Sequence, residues 1–163
     1  MLKIKEAKDT QQLACLASEI WHEYWVEILS KEQIDYMVDK FQSTQAIQRQ
    51  IAVENYIYFY LEYNNQIAGY TGLSKKDSYL FLSKLYIKKD FRHLGLGTLT
   101  FEFIKNFAKE NNYSKIVLTV NKYNQNTIMA YKKWNFKQID SVITDIGNGF
   151  VMDDYIMEYK FTL

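Results

Sequence analysis

The sequence contains no proline, a single cysteine (Cys15), two histidines (His22 and His93) and only six glycines in 163 residues. One cysteine excludes an internal disulfide, which suits a reducing cytoplasm. Two histidines without any Cys/His cluster argue against a structural or catalytic zinc site. With no proline, breaks between elements must rest on Gly, Asn and Asp. No apolar run reaches the roughly 18 residues of a membrane span. The first ten residues, MLKIKEAKDT, lack the apolar stretch of a signal peptide. Lysine and arginine form no dense basic stripe, so a nucleic-acid partner is not expected. Repeats, linkers and low-complexity segments are also missing, and one domain spanning residues 1–163 is expected.

What is present is apolar and aromatic. Hydrophobic residues make up 48% of the chain and aromatics 17%, enough for one substantial core and against disorder. The formal net charge of +1 hides an asymmetry. Residues 1–75 carry 7 Lys+Arg against 10 Asp+Glu, and residues 76–163 carry 13 against 9. A polyanionic ligand would prefer the second half.

Periodicity outlines the elements. Leu2 to Lys5 alternates as a short strand. Asp9 or Thr10 caps a long helix to about Leu29, with Leu13, Leu16, Ala17, Ile20, Tyr24 and Ile28 on its apolar face. A second helix runs from Lys31 to about Phe41, and Ser43 or Thr44 caps a short one through Ile51. Tyr56–Leu61 and Gln66–Leu73 read as strands around the Asn64-Asn65 turn. Further strands are expected at Tyr79–Ile87, Ile116–Val120, Phe136–Ile146 and Phe150–Phe161, with Gly147-Asn148-Gly149 turning between the last two. Asn124 caps a helix carrying Ile128, Tyr131 and Trp134.

The stretch Leu85 to Phe107, LYIKKDFRHLGLGTLTFEFIKNF, organises the rest. A strand passes a basic turn (Lys88, Lys89, Arg92, His93), then Gly95 and Gly97, then a helix with Leu96, Leu99, Phe103 and Phe107 at one-face spacing. Strand, glycine turn and helix start aim several unpartnered backbone N–H groups at an anion, and the helix dipole favours negative charge there. Gly-x-Gly alone is weak evidence. No Gly-Lys-Ser/Thr follows, so it is not a Walker loop, and most of the dinucleotide fingerprint is missing.

Arg92-x-x-Gly95-x-Gly97 behind a strand ending Leu85-Tyr86-Ile87 resembles motif A of the GCN5-related N-acetyltransferase (GNAT) family, whose loop grips the pyrophosphate of acetyl-CoA. A second segment, Asn124 through Tyr131 to Asn135-Phe136, is similar to the family's Asn, Tyr and Gly-Phe pattern. Asn135 replaces the glycine and tolerates a positive φ. The element order β–α–α–β–β–β–α–β–α–β–β fits the family along essentially the whole chain. The IAGY, LYI and GLG stretches and the DDYIME ending resemble the bacterial polyamine (spermidine/spermine) acetyltransferase type.

The resemblance implies an α/β fold with a mixed, mostly antiparallel sheet and helices on both faces. It implies a cytoplasmic acetyl-CoA-dependent enzyme acting on a small-molecule primary amine, a polyamine among the candidates, by direct transfer and without metal. It assigns the cofactor to Leu85, Tyr86, Ile87, Arg92, His93, Leu94, Gly95, Leu96, Gly97, Thr98, Asn124 and Tyr131. It makes Tyr131 the acid for the departing thiolate, its phenol being protonated at neutral pH. The family's strand carboxylate falls at Ser83, which leaves the general base unassigned. Glu19, Glu23 and Glu27 repeat every four residues on the first helix near Trp21 and Trp25. From these, Glu23 and Glu27 are candidates for holding a cationic acceptor. Asp153 and Asp154 are weaker ones, of which only one can face a given site. His22 and Cys15 read as structural. The alternatives are a non-catalytic acyl-CoA-binding module, for which Ser83 is the support, and a protein N-terminal acetyltransferase. The aromatic last strand could serve the core or a homodimer surface.

Overall fold

The computed structural model describes residues 1–162. Seven strands form one mixed sheet: β1 (Leu2–Glu6), β2 (Tyr56–Tyr63), β3 (Gln66–Lys75), β4 (Leu80–Ile87), β5 (Lys115–Asn121), β6 (Lys137–Gly147) and β7 (Phe150–Lys160). Their spatial order is β1-β2-β3-β4-β5-β7-β6. All neighbours are antiparallel except β4 and β5. The helices are α1 (Thr10–Tyr24), α2 (Lys31–Gln42), α3 (Thr44–Val53), α4 (Leu96–Glu110) and α5 (Gln125–Lys133). Three helices separate β1 from β2, one more than the expected order string held, because Ser43 ends α2 in an extended conformation and caps α3 through the N–H of Ala46.

Alternation along the strands divides the core between the two faces. On one face Tyr58, Tyr60 and Tyr70 pack with Leu13, Leu16, Ala17 and Ile20 of α1. On the other, Phe59, Leu80, Leu82 and Leu118 pack with Phe101 and Ile104 of α4 and with Ile128 and Tyr131 of α5.

Two helical readings need correction. The first helix ends at Tyr24, not near Leu29, and tightens into a 3-10 turn at Trp25–Glu27. The carbonyl of Trp25 accepts from both Ile28 and Leu29, and Ser30 starts α2 by accepting from the N–H of Gln33. On α4 the buried stripe is Leu96, Thr100, Phe101, Ile104 and Ala108, whereas Leu99 is exposed. Phe103 and Phe107 flank the stripe. Cys15 is exposed and does not pack in the core. His22 does join elements, taking the carbonyl of Ser18 on one ring nitrogen and Asp35 of α2 on the other at 2.6 Å.

In the absence of proline, asparagine turns the chain. Of seven non-glycine residues with positive φ among the described residues, six are asparagines, at 55, 64, 65, 112, 135 and 148. Asn tolerates this region better than other side-chain-bearing residues.

A buried polar chain ties α1, α2 and α3 to the sheet. Trp21 Nε1–H donates to Tyr70 Oη at 2.8 Å, and Tyr70 donates to Gln42 Oε1 at 2.6 Å. Gln42 Nε2 donates to Tyr58 Oη at 3.3 Å, and Tyr58 donates to Gln50 Oε1 at 2.5 Å. Burial holds the phenols of Tyr58 and Tyr70 above their ordinary pKa, so both stay donors. Tyr70→Phe leaves the Trp21 donor and the Gln42 acceptor without Tyr70. A loss of about 2 kcal/mol in urea unfolding is the expected result, the cost of stranding buried polar groups.

Candidate active site

The site begins where the sheet fails to close. Strands β4 and β5 pair only at Leu80↔Ile116 and Phe81↔Val117, and beyond these residues they diverge. On its other edge β4 carries a bulge: Gly72 faces Lys84 and Leu73 faces Leu82, so Ser83 is the extra residue. A bulge bends its strand and adds twist. The opened seam broadens into a cleft of about 310 Å³. Its walls are Leu82–Tyr86 of β4 and Thr119–Asn121 of β5, and around them stand Trp21 and Tyr24 of α1, Trp25, Tyr131 of α5 and Asp154 of β7.

At the end of β4 the chain enters the basic turn. Lys88 donates its N–H to Ala68 at 2.7 Å, and a 3-10 turn follows at Lys89–Phe91. His93 and Gly95 both take positive φ, at 65° and 79°. Gly95 stands at the N-cap of α4 with no side-chain cap, and a Cβ placed there would meet nothing within 4 Å. Arg92 and Leu99 donate their N–H groups to Lys89 and Gly95. Between these two, the N–H groups of His93 to Thr98 find no backbone acceptor among the described residues. Six neighbouring donors at a helix N-terminus, open to solvent at Gly95, form a cradle of the kind that suits an anion.

Arg92 does not point freely into this cradle. Its Nε donates to the carbonyl of Ile87 at 3.0 Å, its terminal nitrogen lies 3.4 Å from Glu23, and the guanidinium stacks over Tyr24 at 5.4 Å. Glu23 also accepts the N–H of Lys89 at 3.0 Å, and Glu19 lies 3.5 Å from Lys88 Nζ. The acidic flank of α1 therefore braces the basic turn. Glu23 and Glu27, expected to meet an amine, do not line the cleft: Glu23 is committed to the turn and Glu27 is exposed.

Tyr131 lies on the buried side of α5 and lines the cleft, its ring 5.7 Å from Trp134 and 5.6 Å from Phe136. Burial, with a smaller contribution from Tyr24, raises its pKa above the ordinary phenol value. Asn124 occupies the N-cap position of α5, but its side chain does not cap the helix. Instead Asn124 Nδ2 donates to Tyr24 Oη at 2.7 Å, and Thr127 Oγ1 lies 2.7 Å from the same oxygen. Tyr24 thus fastens α1 to α5 across the cleft.

Four aromatic rings crowd one side of the cleft. Tyr86 lies 5.5 Å from Trp21, 5.6 Å from Tyr24 and 6.5 Å from Trp25. Trp25 is nine-tenths buried, and its Nε1–H has no hydrogen-bond partner among the described residues. Ser83, in the place of the expected carboxylate, bonds Tyr56 Oη at 2.8 Å and Lys84 Nζ at 2.5 Å. Burial pushes the Lys84 ammonium down to about 8. Of the adjacent pair on β7, Asp153 turns to Lys122 at 2.9 Å and Asp154 turns into the cleft, as alternation requires. Burial, then Asp153, pushes Asp154 up to about 6.

Comparison with known proteins agrees with this fold. The acetyltransferase (GNAT) domain model matches residues 26–158. An uncharacterised N-acetyltransferase from the pepI 3′ region of Lactobacillus delbrueckii subsp. lactis is 24% identical over 149 residues, 86% of each chain. The PaiA N-acetyltransferase of Thermoplasma acidophilum, solved in complex with coenzyme A, superposes with a TM-score of 0.82 over 99% of both chains at 22% identity. The ribosomal-protein-S18-alanine N-acetyltransferase of Escherichia coli superposes with a TM-score of 0.73 at 16% identity, over 100% of this chain and 96% of that one. At these identities the two structures establish a shared fold.

Proposed function

The chain belongs to the acetyltransferase (GNAT) domain family, and from that premise we propose that it moves an acetyl group from acetyl-CoA directly to the primary amine of a small cationic acceptor, a polyamine being the leading candidate. One observation carries this reading: the seam between β4 and β5 opens beside Tyr131 and ends at the six free N–H groups of His93 to Thr98. The residues fit the cofactor. Backbone donors at a helix start suit a pyrophosphate, and an unpaired strand edge suits an amide-bearing arm that adds as a further strand. Acetyl-CoA, when bound, supplies an electrophilic thioester carbonyl and a thiolate leaving group.

The chain's own residues do the rest. His93 to Thr98 hold the diphosphate by their backbone, and Arg92 acts indirectly by fixing the turn against Glu23 and Tyr24. The edge of Leu85, Tyr86 and Ile87 presents backbone groups along the seam. Asn124 reaches the cofactor only together with Tyr24, to which it is bonded. Tyr131 holds its proton at Oη and donates it toward the departing sulfur. Because burial raises its pKa, it serves as a hydrogen-bond donor stabilising the developing thiolate more than as a full proton source.

A cleft of about 310 Å³ lies at the small end of ligand pockets, which supports a small amine over a peptide. Its aromatic rings and Asp154 suit a cation. The test is thiol release from acetyl-CoA across spermidine, spermine, small diamines, aminoglycosides and short peptides with free N-termini. Turnover confined to the polyamines is the expected result. Turnover of peptides alone would replace the acceptor with a protein N-terminus. Binding of coenzyme A without turnover of any amine would favour the non-catalytic module.

A further inference from the structure

Deprotonating an amine requires a base, and Ser83 cannot serve in the place where the resemblance led a carboxylate to be expected. The geometry points to Asp154 as the residue that anchors the acceptor ammonium and takes its proton, an assignment that rests on the acetyl-transfer reading above. Asp154 is only 5% exposed, yet it lines the cleft and makes no hydrogen bond or ion pair to another side chain among the described residues. Its own strand pairs it with Asn121 of β5 on one side and Val142 of β6 on the other, which fixes its backbone from both edges. A carboxylate held this way in an enclosed cleft, without a counter-ion, is costly unless a cation arrives.

The groups around it leave that role open. Tyr86 from β4 lies close enough to feel its charge, and Tyr24 of α1 and Tyr131 of α5 adjoin Tyr86 in turn. Burial holds Tyr86 and Tyr131 neutral through the working pH range. Asp153, next in the chain, repels its charge but is itself paired with Lys122. Lys84 bonds Ser83, and Glu54 lies 3.7 Å from Arg49 elsewhere on the cleft wall. The helix α2 contributes Gln33, Met37 and Phe41 to the lining, none charged. The Nε1–H of Trp25 is a second buried polar group in the same cleft and faces the Tyr86 hydroxyl.

The proton transfer balances simply. R–NH3⁺ and the Asp154 carboxylate become R–NH2 and the carboxylic acid, and the proton then passes to solvent when the cleft opens to water. No oxidant, metal or further reactant takes part. Sitting near 6, Asp154 is ionised at neutral pH and a stronger base than an ordinary aspartate. Below pH 6 the carboxyl is protonated and the role is lost.

The test uses the whole protein with acetyl-CoA and spermidine for turnover, and with coenzyme A for binding. In wild type, log kcat/KM should rise with unit slope to about pH 6 and then level off, because above that point Asp154⁻ with R–NH3⁺ is the dominant pair. For Asp154→Asn, kcat/KM at pH 8 should fall at least about tenfold. Its profile should keep climbing toward the amine's own pKa, since only free R–NH2 then reacts. Coenzyme A affinity, by calorimetry, should be unchanged, which also reports that the variant is folded. Spermidine affinity for the coenzyme A complex at pH 8 should fall by a similar factor. Asp154→Glu, which keeps the carboxylate, should retain the plateau. Asp154→Asn with wild-type rate and plateau would overturn the assignment and leave acetyl transfer standing. If wild type binds coenzyme A but acetylates no amine, the acetyl-transfer reading fails instead. The Asp154 assignment is then decided by spermidine binding, where equal affinity for wild type and Asp154→Asn overturns it.

Discussion

Tyr131→Phe is expected to lower kcat by about 100-fold while coenzyme A binds as before. The substitution removes one oxygen and keeps the ring, so the contacts with Trp134 and Phe136 and the buried side of α5 persist. What disappears is a donor facing the cleft. Its pKa, raised by burial, keeps the proton on the oxygen at neutral pH and well above it. Without it, the developing charge on sulfur must be met by whatever water enters the seam. Steady-state thiol release with spermidine, beside calorimetry with coenzyme A, separates this from a folding defect. Turnover within twofold of wild type would remove Tyr131 from the reaction.

The largest effect on stability should come from Gly69→Ala, a loss of about 4 kcal/mol or more. Gly69 lies opposite Ile87 in the β3–β4 ladder. A Cβ there would sit 2.1 Å from the backbone oxygen of Tyr86 and 3.0 Å from Cα of Ile87. Neither atom can rotate aside, as a flexible side chain could. The strands must part at the place where Lys88 donates to Ala68 and the chain enters the cradle. Equilibrium unfolding in urea measures the loss, and weakened coenzyme A binding should accompany it in whatever folded protein remains. By contrast, a Cβ at Gly97 would meet Trp134 at an ordinary 3.5 Å, so Gly97→Ala serves as a mild control. An equally mild Gly69→Ala would mean that the strands yield more easily than two backbone contacts allow.

Much of this architecture was legible in the residues. The period change after Ile51, the Asn-Asn turn at 64–65 and the Gly147-Asn148-Gly149 turn placed the strands to within a few positions. Arg92 to Gly97 runs from the turn after β4 into the first two residues of α4, and Asn135 takes the positive φ allowed to it. The misreadings share a cause. Local pattern cannot see which partner a side chain will find. Glu23 looked like part of an acceptor surface because it stands near two tryptophans in sequence, but folding brings it 66 residues onward to Lys89. Asn124 had the composition of a helix cap, and a tyrosine 100 residues earlier claims it. Leu99 fits the period of α4 as well as Leu96 does, yet the sheet covers the neighbouring stripe. Asp154 carried only a parity signal: adjacent aspartates on a strand must face opposite ways, and nothing local says which one turns inward.

Tyr24 gives the cleft a property that no single wall has. Its hydroxyl joins Asn124 and Thr127 of α5, and its ring lies under Arg92, which holds the basic turn. The basic turn and the α5 wall of the cleft therefore share a hinge-pin, and whatever steadies one steadies the other. By thermodynamic reciprocity, a cofactor that raises amine affinity by some factor has its own affinity raised by the same factor. Part of the entropy cost of ordering is then met once for both ligands. The expected signature is positive coupling, each ligand binding more tightly by the same factor once the other is seated.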